Sequence, residues 1–376
     1  MHIAILYNRD HELLEDDPGR EAREDVTRVA SALAEALSQG GTRAEPLAVE
    51  GSRLDFAEVL GRLRPDLVIN LCESLAADAR GEMIVPAVLE MLGLPYTGSS
   101  ALSLGLALHK DKAKELLKVR GVSTPGFWRV DRLEQLAEVA LPYPLIVKPA
   151  REDASVGVTA DSVVQDAAGL SRVVETVLRT FRQPAMVEQF IPGREIYVPL
   201  LGNQRRQALP LTEIRFGSFF EGRPNIVSYR AKWEADSPEY LNTPSGTCQL
   251  EDPELEARLI RTAMDAFAAL DCQDYGRVDL RVTPEGVPYV IDVNPNCDLH
   301  PDAGFAKAAR AAGLDYPALA SRLVDLALER AHGSGYPFPR SQGPRPARPA
   351  HQSDRNLLPG GGEDRHGAGG SHARAE

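Results

Sequence analysis

The sequence predicts an α/β protein in which a parallel α/β domain precedes a small α+β unit and a further run of strands and helices. Three observations lead there. Buried β-rich runs alternate with helical stripes near the N-terminus, the pattern of a parallel sheet. From Phe127 onward, short strands are joined by polar turns around single helices. Arg277 to Asn296, RVDLRVTPEGVPYVIDVNPN, reads as two strands joined by a tight turn.

The first elements are plain. Ile3 to Tyr7 is a buried strand, and Val26, Val29, Ala30, Leu33 and Leu37 form a helical stripe. Leu67 to Leu71 is a second strand. Val85 to Leu92 is a helix, with Pro86 tolerated in its first turn. A dinucleotide fold would place GxGxxG after the first strand. Asn8-Arg9-Asp10 stands there, which argues against an NAD-dependent dehydrogenase. PYTGSS, Pro95 to Ser100, is a turn and helix cap. The helix it starts carries His109, Lys110, Asp111, Lys112 and Lys114 and stops at Gly121. The ordinary reading of those lysines is a solvated helix face.

Phe127 to Val130 and Leu145 to Lys148 are strands flanking a helix at Arg132 to Val139. Lys148 ends the apolar run PLIVKP, so it either sits in water or is held to meet an anion. Arg151 to Thr159, REDASVGVT, is either a plain hairpin turn or a loop whose N–H groups close over phosphates. A helix from Ala167 to Leu178 and strands at Ala185 to Phe190 and Arg194 to Leu201 follow, then a strand from Arg205 to Ile214. Residues 216–247 are long, irregular and polar, which in a compact domain usually marks function. Asp252-Pro253 caps a helix running to Leu270, and further helices lie near Ala303–Ala312 and Pro317–Ala331.

Composition bounds the function. The 376 residues require two or three domains. The net charge of −12, without a long basic cluster, argues against nucleic-acid binding and docking on an anionic membrane. No apolar run approaches the ~20 residues of a spanning helix, and the N-terminus lacks a signal peptide's pattern. The four cysteines form no CxxC, which fits a reducing cytoplasm and suggests neither zinc nor a disulfide framework. Residues 333–376 are rich in Gly, Pro, Arg and Ser and read as a disordered tail.

The hairpin carries the chemistry. Val278, Leu280 and Val282 alternate with Arg277, Asp279 and Arg281. Asp292 interrupts an apolar run, and Asn294, two residues on, shares its face. In an antiparallel pair Asp279 can lie near both. Two carboxylates and an amide oxygen on rigid strands suit Mg²⁺ or Mn²⁺ carrying nucleotide phosphates. The plainer alternative is a pair of edge-strand aspartates facing water.

Over roughly residues 1–330 these elements resemble the ATP-grasp superfamily, and within it the D-alanine–D-alanine ligase family. Gly98 of YTGS precedes Lys110 by twelve residues, as in the family's YxGS…DK pattern. IVKP supplies Lys148, and SVGV at Ser155–Val158 matches the phosphate-covering loop. VEQFIPGREI places Glu188 and Glu195 seven apart, and RVD…IDVN places Asp279 and Asp292 thirteen apart with Asn294 two beyond. SYRAKW resembles the mobile ω-loop and aligns Lys232 with its lysine. Six matches in the right order argue against chance.

The resemblance implies an ATP-grasp fold: an N-terminal Rossmann-like domain over 1–97 and two α+β subdomains, 98–190 and 191–332, gripping ATP. It implies Lys110, Lys148 and Gly157 on the phosphates, and Glu188 with the backbone of Phe190 and Ile191 on adenine. Glu195 would hold the ribose, and Asp279, Asp292 and Asn294 the metal. Arg277, Lys232 and Ser155 would be catalytic. The implied partners are small amino-acid-type substrates, and a homodimer is compatible.

The departures cluster at the amino-acid end. The family's Gly-Gly turn and Ser-x-Glu segment are not readable, and only Glu21 or Glu24 could replace that glutamate. Ala154 replaces the first serine of SSVG and Trp233 the ω-loop tyrosine, so the Glu–Ser–Tyr link cannot form as such. Instead of TxPGMT and a carboxylate-binding serine the chain reads PNCDLHPDAGF. Asp298 and Asp302 then stand where a second amino acid's carboxylate should bind. His109 replaces aspartate, and Asp292 replaces the usual glutamate. The expected activity is an ATP-dependent carboxylate–amine ligase whose substrates need not be two D-alanines. The alternatives are a ligase with another acceptor in a secondary pathway and a non-catalytic nucleotide-binding module.

Overall fold

The structure, a computed structural model, describes residues 1–9, 20–50 and 54–333, with side chains of the first helix from residue 25 onward. β1 (His2–Asn8) lies between β2 (Arg43–Val49) and β3 (Leu67–Asn70) in an all-parallel sheet. Strand alternation sends Ile3 and Ile5 to one face and Ala4 and Leu6 to the other. The first pair packs on the predicted stripe of α1 (Arg20–Gln39); the second packs near α2 (Asp55–Leu63) and α3 (Ile84–Leu92). β2 was not legible, because Pro46 and half-exposed residues disguise an edge strand.

The helix predicted through His109 is two helices. Ser100 caps α4 (Ala101–Leu108) by accepting from Ser103 N–H, as expected. His109, at φ −83° and ψ 82°, then ends it and starts α5 (Lys110–Val119). Lys110 and Lys114 lie one turn apart on one face, and both are buried. The solvated face predicted for them belongs instead to Lys112 and Lys118.

A four-stranded antiparallel sheet follows, in the order β4 (Phe127–Val130), β7 (Ala185–Gln189), β5 (Leu145–Pro149), β6 (Val163–Val164). α6 (Ala167–Phe181) covers it, setting Leu170, Val174 and Val177 on Leu145, Val147 and Val187. The helix expected at Arg132–Val139 is a short 3₁₀ segment, Leu133–Glu138.

The third sheet contains β8 (Arg194–Leu201), β9 (Gln207–Ala208), β10 (Thr212–Ile214), β11 (Ser245–Thr247), β12 (Tyr275–Val282) and β13 (Pro288–Asn294). Its order is β11-β10-β8-β12-β13, with β9 beside β8. The single strand expected over Arg205–Ile214 is split because Pro210 supplies no N–H to a ladder. The stretch expected to be irregular holds α7 (Tyr229–Trp233) and α8 (Pro238–Leu241) as well as β11.

The two faces of this sheet differ. Ile196, Val198, Leu200, Val278, Leu280 and Val282 are buried with Leu259, Ala263 and Phe267 of α9 (Pro253–Ala269). The alternate residues Glu195, Tyr197, Arg277, Asp279 and Arg281 turn to the other side, where they line a cleft. α10 (Gly304–Ala311) and α11 (Tyr316–Gly333) bring Phe305, Leu319 and Leu323 into the core around α1. The disordered tail expected over 333–376 lies, beyond Gly333, outside the described residues, as do the side chains of Glu21 and Glu24. Among the described residues no helix is long and apolar enough to cross a membrane.

Candidate active site

β12 is internal, flanked by β8 and β13, so its aspartate is not an edge residue facing water. The register sets Asp279 directly opposite Asp292, and Arg277 opposite Asn294. A bulge after Asp279 leaves Ile291 unpaired. It lets Val290 stay in the core while Ile291 and Asp292 both line the cleft. Arg277 donates from Nε and Nη2 to the two oxygens of Asp279, at 2.6 and 2.9 Å. Asn294 Nδ2 donates to Asp279 Oδ2 at 3.2 Å, which leaves its carbonyl oxygen as a ligand atom. Among the described residues no three His, Cys, Asp or Glu side chains gather as a metal set. The donors here are two carboxylates and an amide, hard oxygens that fit Mg²⁺ or Mn²⁺.

Three lysines face these carboxylates or stand beside them. Lys110 Nζ lies 2.8 Å from Asp153 and 3.2 Å from Asp292. Burial works against its charge, but the two aspartates outweigh burial and hold it protonated. Burial also opposes ionisation of Asp292; Lys110, Lys148 and Lys114 overcome it and keep that carboxyl below its usual range. Glu188, 1% exposed, sits between Lys148 at 2.8 Å and Lys114 at 3.2 Å. Lys114 also donates to Thr124 Oγ1 at 2.9 Å, and burial pushes its ammonium down to about 8 against the pull of Glu188. Lys148 is therefore held toward the cleft rather than in water.

The cleft measures about 800 Å³, within the size range of small-molecule sites. Phe190 and Ile191 line it beside Glu188, and the N–H of Phe190 is taken by Pro144 O at 3.0 Å. Glu195 accepts from Tyr197 Oη at 2.8 Å and pairs with Arg281 at 3.5 Å.

The polar loop after β5 is built for close approach. Ala154, Ser155 and Gly157 all have positive φ, at 54°, 61° and 77°. A Cβ on Gly157 would lie 2.6 Å from Pro149 Cγ, so only glycine fits. Three hydrogen bonds join this loop to the segment around α7. Ser155 Oγ donates to Val227 O at 2.9 Å, Tyr229 N–H to Val158 O at 3.0 Å, and Trp233 Nε1–H to Ala154 O at 3.0 Å. The side-chain link of the Glu–Ser–Tyr kind is not formed, since Ala154 has no hydroxyl. A link exists, with the indole as donor and a backbone carbonyl as acceptor. α7 also brings Lys232 to the cleft, where burial first, and then Arg277, lower its affinity for a proton.

Sequence reasoning missed two glutamates. Past Lys232 and Arg277 lies a smaller chamber of about 110 Å³, lined also by Glu73, Glu82, Asp298 and Cys297. Glu82 is 7% exposed and accepts from Asn296 Nδ2 at 3.0 Å. Burial, and then Asp298, push Glu73 up to about 8; burial, and then Asp153, push Glu82 well above the carboxylate range. Glu73 stands just past the C-terminal end of β3, where open α/β sheets place ligands, and that was the available signal.

The family model for the D-Ala–D-Ala ligase C-terminus matches residues 119–325. The chain is 34% identical over 82% of its length to the uncharacterized protein y4sG of Sinorhizobium fredii, 90% of which is covered. It is 31% identical over 82% of its length to the D-alanine–D-alanine ligase of Nitrosospira multiformis, with 94% of that protein covered. Among solved structures, the ATP complex of the Bacillus anthracis D-alanine–D-alanine ligase superposes with a TM-score of 0.67 at 22% identity, covering 88% of this chain and 99% of that one. The VanG D-Ala:D-Ser ligase of Enterococcus faecalis gives 0.65 at 20% identity, covering 87% and 99%. At these identities the solved structures speak for the fold, and the relatives and the family model for the lineage. The chain belongs to the D-alanine–D-alanine ligase family, ATP-dependent ligases of carbon–nitrogen bonds with the ATP-grasp fold.

Proposed function

We propose that this ligase activates a substrate carboxylate with ATP and joins it to an amine, and that two D-alanines are not its preferred pair. The observation that carries the reading is the placement of Asp279 opposite Asp292, on the sheet face that meets Lys110 and lies beside Lys148. In this reading Lys110 and Lys148 hold phosphates as point charges, and Ser155 and Gly157 close over them. Glu188 and the backbone near Phe190 and Ile191 take adenine, and Glu195 takes the ribose. Asp279, Asp292 and Asn294 would hold Mg²⁺ or Mn²⁺, which supplies charge neutralisation on the phosphates. The clamp would comprise residues 98–190 and 191–332.

A substrate carboxylate oxygen attacks the γ-phosphorus. The bridging P–O bond to the β-phosphate breaks, and ADP leaves. The amine nitrogen then attacks the acyl carbon, the bond to phosphate breaks, and the new amide gives up a proton. Arg277 and Lys232 stand where charge builds during both steps. Most of the acceleration comes from position and charge neutralisation.

Substrate choice follows from what the reacting amino acids meet. Asp298 lines both cavities, and Asp302 lines the cleft beside Ala303, which provides no side-chain cap to α10. A carboxylate entering there meets negative charge. ADP release measured across pairs of amino acids and amines tests the reading. We expect Mg²⁺-dependent release with at least one pair and poor release with D-alanine alone. D-alanine as the best substrate would refute the shift in specificity.

A further inference from the structure

The chamber past Arg277 and Lys232 has a charge pattern that an ordinary amino acid does not balance. It opens on the reaction centre, because Lys232, Arg277, Asn294 and Asp298 line both it and the cleft. Its cationic wall is Lys232 and Arg277, and Arg277 is already neutralised by both oxygens of Asp279. Asp153, also at the chamber, is answered by Lys110, and Glu152 accepts from Gln183 Nε2. The chamber's acidic wall is otherwise Glu73, Glu82 and Asp298. Among the described residues none of these three forms a salt bridge. Glu82 has only the neutral amide of Asn296, and Asp298 accepts the backbone N–H of His300 at 2.7 Å. Asp25, at the same chamber, is answered by Arg28 at 3.3 Å.

An acidic group buried without a cation keeps its proton, and it ionises when a ligand supplies the cation. An α-amino acid brings one ammonium and one carboxylate. Its carboxylate goes to Lys232 and Arg277, where activation occurs. Its α-ammonium answers one acidic group and leaves the others unanswered. A second ammonium on a short side chain answers them, and the volume of about 110 Å³ favours a short one. Resting on the ligase reading above, we propose that this chamber takes a short diamino acid, its side-chain ammonium held by Glu73 and Glu82 and its α-carboxylate presented to Lys232.

The test compares 2,4-diaminobutyrate with norvaline, which has the same shape and a methyl in place of the second ammonium. Both enantiomers are assayed by ADP release in the wild-type protein and in Glu73→Gln. The expected result is a kcat/KM at least tenfold higher for the diamino acid, expressed in KM. That ratio should fall at least fivefold in Glu73→Gln. Equal rates for the two compounds, or an unchanged ratio in Glu73→Gln, would overturn the proposal. If no pair releases ADP, the ligase reading fails separately. Calorimetric binding of the same two compounds, with a non-hydrolysable ATP analogue present, then decides. Tighter binding of the diamino acid that is lost in Glu73→Gln supports the chamber, and no preference refutes it. If Glu73→Gln does not fold, Glu82→Gln replaces it, with the same expected drop in the ratio.

Discussion

Replacing Glu73 with glutamine should change how stability depends on pH. Burial, with Asp298 nearby, raises this carboxyl from 4.5 to about 8 in the native state. The groups facing it are Asp298, Asp153 and Asp25, which oppose its ionisation, and Lys232, which favours it. Between those two values the native state keeps a proton that the unfolded chain has released. Its contribution is therefore full below about pH 4.5 and is lost as pH rises toward 8. A gap of about 3.5 pH units at ~1.4 kcal/mol each sets a ceiling of about 5 kcal/mol. Glu73 is partly open to solvent, and screening reduces the expected figure to ~2–3 kcal/mol. Urea denaturation near pH 5 and near pH 8 measures it. Wild type should lose ~2–3 kcal/mol more than Glu73→Gln across that interval. Glu82 is raised in both proteins by burial and then Asp153, with Glu73 a later cause, so only the part that Glu73 adds to it differs in the comparison. Parallel curves for the two proteins would refute the argument that Glu73, half-buried, lacks a cation partner.

Other outcomes follow from the cleft. Asp279→Asn and Asn294→Ala should each lower Mg²⁺-dependent ADP release by at least about 100-fold while the circular dichroism spectrum is kept; near-normal turnover in either would remove the metal assignment. Lys148→Ala should weaken binding of a non-hydrolysable ATP analogue at least tenfold, about 1.4 kcal/mol or more, by calorimetry. Lys114→Met removes one of two cations from the buried Glu188 and one hydrogen bond to Thr124; chemical denaturation should show a loss of ~2–3 kcal/mol. Trp233→Phe removes the bond to Ala154 O, so limited proteolysis between residues 228 and 241 should quicken several-fold; unchanged cleavage would mean the bond does not hold the segment.

What the sequence showed and what it hid have different physical causes. The hairpin of β12 and β13 was legible because charged and apolar residues alternate there, and alternation encodes both pairing and facing. Glu188, Glu195 and Lys148 were singled out only through the motifs that match the family, and all three line the cleft. The burial of Lys110 and Lys114 was not, because the break at His109 uses neither glycine nor proline and leaves no local mark. The strand β2 was hidden by its proline. Glu73 and Glu82 are far from Arg277 in sequence, and only the packing of the N-terminal domain on the third sheet brings them to one chamber. The bond from Trp233 to Ala154 O was not legible, because a backbone acceptor leaves no mark in residue identity.

The two-faced pattern of β12 has a consequence for the quality of the folded population. Shifting this strand by one residue would send Arg277, Asp279 and Arg281 under α9 and turn Val278, Leu280 and Val282 into the cleft. Three buried charges without partners would unfold the sheet. A misthreaded chain therefore fails to fold instead of persisting as an inactive look-alike. Purified protein that passes a test of compactness should have essentially every molecule competent, so that specific activity follows the folded fraction and titrated active sites approach one per chain.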